Sequence, residues 1–146
     1  MKSILVALAL VMFAGGANAQ KPAWTYTAKK LAGDKYELRI TAQPPAGWHI
    51  YSQNTPGGGP LPTSFTFNKN PLVTIAGKPK ESGKLVTYFD NNFKVNVKYF
   101  EGKVDFVQVV TLKGKAKTNI TGQVESMICN DRTCMPPTTE KFTIAL

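Results

Sequence analysis

Histidine and cysteine are nearly absent from this chain, with one histidine and two cysteines in 146 residues. That scarcity excludes several kinds of chemistry. One histidine and two cysteines fall short of the four protein ligands of a structural zinc site, and no cofactor is expected. No serine–histidine–carboxylate spacing, phosphate-binding glycine loop or paired-carboxylate signature occurs. Acidic residues are also scarce, nine against eighteen lysines and arginines, for a formal net charge of +9. The lysines are spread along the chain instead of gathered in a patch. A solvated basic surface is therefore expected and nucleic-acid binding is not, although attraction to an acidic partner or anionic lipid remains open.

Long hydrophobic runs are missing everywhere but at the start. Lys2 followed by the apolar run Ile4 to Phe13 and by Ala17-Asn18-Ala19 has the order of a cleaved secretory signal, so residues 1–19 are expected to be removed before Gln20. The run is too short to span a bilayer comfortably. Taking Lys2 from a formal +9 leaves +8 on the mature chain. Residues 20–146 are expected to form one soluble, monomeric domain in an oxidising compartment where a disulfide can persist.

No ten-residue stretch of that domain carries a helical stripe. Trp24–Ala28 and Tyr36–Ile40 alternate about a Gly33-Asp34 turn, and Trp48 to Gln53 forms a third strand after Pro44-Pro45-Ala46-Gly47. Residues 55–62 are loop. Phe65–Phe67 and Leu72–Ala76 are short strands. Phe93, Val95, Val97 and Tyr99 alternate with polar residues, and Glu101-Gly102 is expected to turn that strand into Val104–Leu112. Ile120–Cys129 and Lys141–Ala145 complete the set. Eight or nine strands in this length predict an all-β, immunoglobulin-like antiparallel β-sandwich with Val95, Val97 and Phe106 inside, a small barrel being the alternative.

Both cysteines fall in Met127-Ile128-Cys129-Asn130-Asp131-Arg132-Thr133-Cys134-Met135-Pro136-Pro137. A disulfide across it would close a six-residue ring and stabilise the fold by only about 2 kcal/mol on the chain-entropy estimate. Arg132 favours a thiolate and Asp131 opposes it. Asn130-Asp131 marks a turn, and Pro136 and Pro137 lack the N–H needed to continue a ladder. Cys134 is therefore expected at a frayed strand end, and Cys129, after the apolar run Val124–Ile128, in a more enclosed place. Two readings stay open on spacing alone: a structural disulfide, the commoner fate of a lone pair in an exported domain, and a thiol–disulfide exchange site. His49 and Tyr51 share one strand face and are candidates to line the cysteine site. A third reading, a copper(I) carrier, would use Met127, Cys129, Cys134, Met135 and His49 as soft donors.

The segment Gly122 to Pro137, with its Cys-x4-Cys-x-Pro-Pro pattern, resembles the active-site segment of the N-terminal periplasmic domain of the thiol:disulfide interchange protein DsbD. Gly47-Trp48-His49-Ile50-Tyr51-Ser52-Gln53 is similar to that family's aromatic strand, and Gly58-Gly59-Pro60 with Pro62-Thr63 to a loop of some relatives. The resemblance spans the mature chain. It implies an immunoglobulin-like fold and a thiol:disulfide oxidoreductase activity. In that family a thioredoxin-like partner reduces the pair, which then reduces exported disulfide proteins, cytochrome c maturation among its settings. Cys134 matches the cysteine that forms mixed disulfides and Cys129 the one that resolves them. Tyr51 matches a tyrosine beside the site, His49 stands where another tyrosine is common, and Pro136 belongs to the motif. The chain departs from the best-known members in having four residues between the cysteines, not five. The cap loop that shields their site corresponds roughly to Pro79–Phe89, where Tyr88 and Phe89 are its aromatics. The full-length family proteins continue into membrane and thioredoxin-like domains. This sequence stops at Leu146, so a separate reductant is expected.

Overall fold

The computed structural model describes residues 20–91 and 93–146. The expected signal peptide, residues 1–19, lies outside them. The described residues form ten strands: β1 Ala23–Lys30, β2 Lys35–Gln43, β3 His49–Tyr51, β4 Ser64–Phe67, β5 Val73–Ile75, β6 Lys80–Asp90, β7 Val95–Leu112, β8 Asn119–Ser126, β9 Ile128–Cys129 and β10 Thr138–Ala145. All named pairings are antiparallel. One sheet has the path β1-β2-β7-β3-β9, with β5 and β6 also paired to β7, and the other is β10-β8-β4. Among the described residues no helix is long and apolar enough to cross a membrane.

Alternating patterns create the interior. Leu38, Ile40 and Ala42 of β2 are fully buried and pair in register with Ala28, Tyr26 and Trp24 of β1. Ile120 and Val124 of β8 and Phe142 and Ile144 of β10 supply the opposing layer. Aromatic rings join the two: Tyr26 stacks on Phe142 at 5.4 Å, and Phe65 meets Phe106 at 4.9 Å. Burying each large apolar side chain contributes about 1.5–3 kcal/mol. The architecture is an immunoglobulin-like antiparallel β-sandwich, as its patterning implied.

Three local expectations are corrected. Glu101-Gly102 does not reverse the chain, because β7 runs straight through it for 18 residues. Gly102 has a φ of 73°, a conformation that costs a glycine little; the ladder with β3 ends at Glu101, that with β2 begins at Val104, and the β6 register shifts between Gly83 and Leu85. Residues 80–90, compared above with a cap loop, are a strand, β6, paired along β7 with that register shift. Ile120–Cys129 is not one strand, since pairing stops at Met127 and β9 belongs to the other sheet. Phe106 is fully buried and Val97 nearly so. Val97, however, lies outside the main core in a second cluster with Tyr51 and Cys129, against which Val95 packs, only partly buried. Phe93 precedes β7 and is 47% exposed.

Candidate functional site

The switch of sheets at Met127 positions the cysteines. Once β8 ends, Ile128 and Cys129 pair with Ile50 and His49 of β3, a corner in which one chain passes between layers. Cys129 and Cys134 are joined by a disulfide. The Asn130 side chain folds the loop between them, its Oδ1 accepting from the N–H groups of Arg132 and Thr133, each at 2.8 Å. The Asn130 N–H donates to the Thr133 carbonyl at 2.9 Å, and the Met135 N–H donates to the Ile128 carbonyl at 2.9 Å. Pro136 and Pro137 interrupt the pairing there, and β10 begins in the other sheet. Cys129 is 2% exposed, whereas Cys134 lies on the surface.

Register separates the two faces of this part of the sheet. Ile50 lies opposite Phe100 on β7 and Ile128 on β9, and all three are buried in the main core. One residue along, the opposite face carries His49 paired with both Glu101 and Cys129, and Tyr51 paired with Tyr99. That second face forms the floor of a cleft of about 530 Å³. The Cys129–Cys134 loop is one wall, and Tyr88, Asp90 and Phe93 at the end of the β6–β7 hairpin form the other.

The cleft floor is stiff. His49 stacks on Tyr99 with ring centroids 4.0 Å apart, and its Nε2 lies 3.1 Å from the Tyr51 hydroxyl. Burial pushes the His49 imidazole below its ordinary range, opposed by the Asp131 and Glu101 carboxylates. Burial, with Asp90 and Tyr99, pushes Tyr51 up to about 12. Tyr99 is raised by burial and by Glu101, Asp131 and Tyr88. Both phenols are thus neutral at ordinary pH. Thr63 Oγ1 donates to the Tyr51 carbonyl at 2.6 Å. Glu81 of β6 accepts from the Ser52 hydroxyl at 2.7 Å and the Gln53 N–H at 2.6 Å, tying the hairpin to the segment after β3. A Cβ on Gly59 would lie 3.2 Å from Val95 Cγ2 and 3.5 Å from Phe93 Cβ, so the glycine loop lies directly against the hairpin tip.

The structure therefore gathers Cys129, Cys134, His49 and Tyr51 in one cleft and leaves Pro136 exposed outside its lining. Of the soft donors, Met127 packs beside Cys129, but Met135 packs against the main core. Of the aromatics weighed for a cap, Tyr88 lines the cleft and Phe89 does not; Phe93 takes the second place. Tyr99 was missed as a residue of the cleft floor. Its signal was its place on the Val95–Val97 face of β7, but only the pairing with Tyr51 shows what that face meets.

A family model described as "Thiol:disulfide interchange protein DsbD, N-terminal" matches residues 17–146. A crystal structure of the Neisseria meningitidis DsbD N-terminal domain in the reduced form is similar to this chain, with a TM-score of 0.54 and 15% identity over 83% of this chain and 85% of that one. At that identity the likeness speaks for the fold. No curated protein matches the sequence.

Proposed function

The chain belongs to the family of DsbD N-terminal domains, and on that premise we propose that it is an exported thiol–disulfide exchange protein working through Cys129 and Cys134. Residues 1–19 direct export and are cleaved, and residues 20–146 act in the periplasm. A thioredoxin-like domain delivers electrons to the pair. The pair passes them to exported disulfide proteins, those of cytochrome c maturation among them.

The observation that carries the division of labour is the unequal exposure of the two sulfurs, Cys129 at 2% and Cys134 at the surface. Exchange needs one sulfur that a partner can reach and a second close by to resolve the mixed disulfide. In the reduced pair, the Cys134 thiolate attacks a partner disulfide, forming a mixed disulfide and releasing one partner thiolate. Cys129 then attacks Cys134, re-forming the intramolecular bond and releasing the second. Two electrons leave the domain and one partner disulfide is reduced. His49, Tyr51 and Tyr99 shape the floor on which this happens, and Pro136 ends the ladder so that Cys134 stays at an open edge.

Cysteine-to-serine variants test the roles. Cys129→Ser, with Cys134 left free, should accumulate a mixed disulfide with an oxidised thioredoxin-like domain lacking its own resolving cysteine, seen on a non-reducing gel. Cys134→Ser should trap far less. Equal trapping by both refutes the roles, and none by either supports a structural disulfide.

A further inference from the structure

Cys129 faces a proton problem that Cys134 does not. It must attack as a thiolate, yet its side chain sits in an apolar cluster with Tyr51 and Val97, packed by Val95, Tyr99 and Met127. A thiolate formed there gives up its solvation, so a nearby group that takes the proton as the sulfur attacks would ease the step.

The register supplies an acceptor. The direct cross-strand partner of Cys129 is His49, the only histidine in the sequence. Side chains in such pairs share a face, with Cβ atoms about 4.5–5.5 Å apart. The imidazole is fixed by its stack on Tyr99 and by the Tyr51 hydroxyl at Nε2. That contact leaves Nδ1 as the nitrogen without this partner. We propose that His49 accepts the proton of Cys129 as the mixed disulfide is resolved, an inference that rests on the exchange function proposed above.

In this step the Cys129 proton passes to His49 while its sulfur attacks Cys134 Sγ. The new S–S bond forms as the bond from Cys134 to the partner sulfur breaks, and the partner leaves with the electron pair as a thiolate. The imidazolium then gives its proton to solvent. In the opposite direction, it returns a proton to Cys129 as that sulfur leaves. The surroundings suit both states. Burial keeps His49 neutral and ready to accept a proton, and the Asp131 and Glu101 carboxylates favour the imidazolium once it forms. The other ionisable groups at this face are Tyr51 on β3, Tyr99 on β7, Arg132 in the disulfide loop, and Tyr88 and Asp90 at the hairpin, all lining the same cleft. Lys84 approaches Glu101 at 4.0 Å, both well exposed.

The aromatic disulfide 5,5′-dithiobis(2-nitrobenzoate) separates the two steps. Reacting with the reduced domain, it releases one coloured thiolate as Cys134 is capped and a second as Cys129 resolves. In the wild type the second phase should be nearly flat between about pH 6.5 and 8. In His49→Gln and His49→Tyr it should be about tenfold slower at pH 7 and recover by about pH 9, as the thiol ionises unaided. Tyrosine keeps a ring on Tyr99 but does not accept a proton near neutrality. The first phase should change little in either variant. A second phase with the wild-type pH profile in both variants overturns the role of His49 and leaves the exchange function standing. A uniform slowing at all pH values also overturns it, marking a packing role instead. A wild-type domain with no second phase sinks the exchange function itself.

Discussion

Reducing the Cys129–Cys134 disulfide should leave this domain folded. The bond closes a loop with a sequence separation of 5, for which the chain-entropy estimate gives about 2 kcal/mol of stabilisation. The structure argues against a larger cost. The loop keeps its shape through the two hydrogen bonds to Asn130 Oδ1 and the bond from the Asn130 N–H to Thr133. Cys129 stays in the ladder through the β3–β9 pairing, and Met135 is held by Ile128. The main core, Leu38, Ile40, Phe100 and Phe106 among its members, contains neither cysteine. Thermal melting of oxidised and reduced protein in the same buffer measures the difference. For a domain of this size the midpoint should fall by about 6–10 °C, with near-native far-UV circular dichroism below the transition. Unfolding on reduction alone at room temperature would refute the reasoning and make the disulfide a structural staple.

Phe100→Ala, on the core face of β7, should cost about 3–5 kcal/mol in urea denaturation, because it empties a site that is 2% exposed. A loss below about 1 kcal/mol would contradict the assignment of the two faces. Tyr26 and Tyr51 are both raised to about 12, chiefly by burial. Their neutral forms therefore contribute stability that is complete below the unfolded value near about 10 and is lost as pH rises toward 12. Stability measured across that window should fall, and Tyr26→Phe and Tyr51→Phe should each reduce the steepness of the fall; an unchanged slope in both would refute the attribution.

The sandwich was legible because β2, β8 and β10 bury alternate residues, and period-two patterning is a local property. The more enclosed position of Cys129 was legible for a related reason, since apolar Met127 and Ile128 lead directly into it. What stayed hidden depends on pairing between distant segments. Along Lys80–Asp90 no residue is buried, so β6 carries no clear hydrophobic alternation. Its strand character comes from pairing with β7, a partner that no local pattern in the sequence reveals. Glu101-Gly102 has turn residues, and only the ladders on either side keep β7 extended through them. The break at Met127 carries no turn residue, since the chain leaves one layer only to enter the other. Tyr99 could be placed on a face but not against Tyr51, because their register joins strands far apart in sequence.

The three residues of β3 show why the cleft and the core are separable. Ile50 points into the main core between Phe100 and Ile128, while His49 and Tyr51 on either side point into the cleft. A substitution at 49 or 51 therefore acts on the cleft without opening a cavity in the main core, and a substitution at 50 does the reverse. The disulfide stands at the joint between the two sheets. On one side Cys129 is held by a ladder, and on the other Cys134 is followed by two prolines that cannot extend one. Secondary structure thus encloses one sulfur and exposes the other, and the unequal access on which exchange depends follows from where the strand pairing ends.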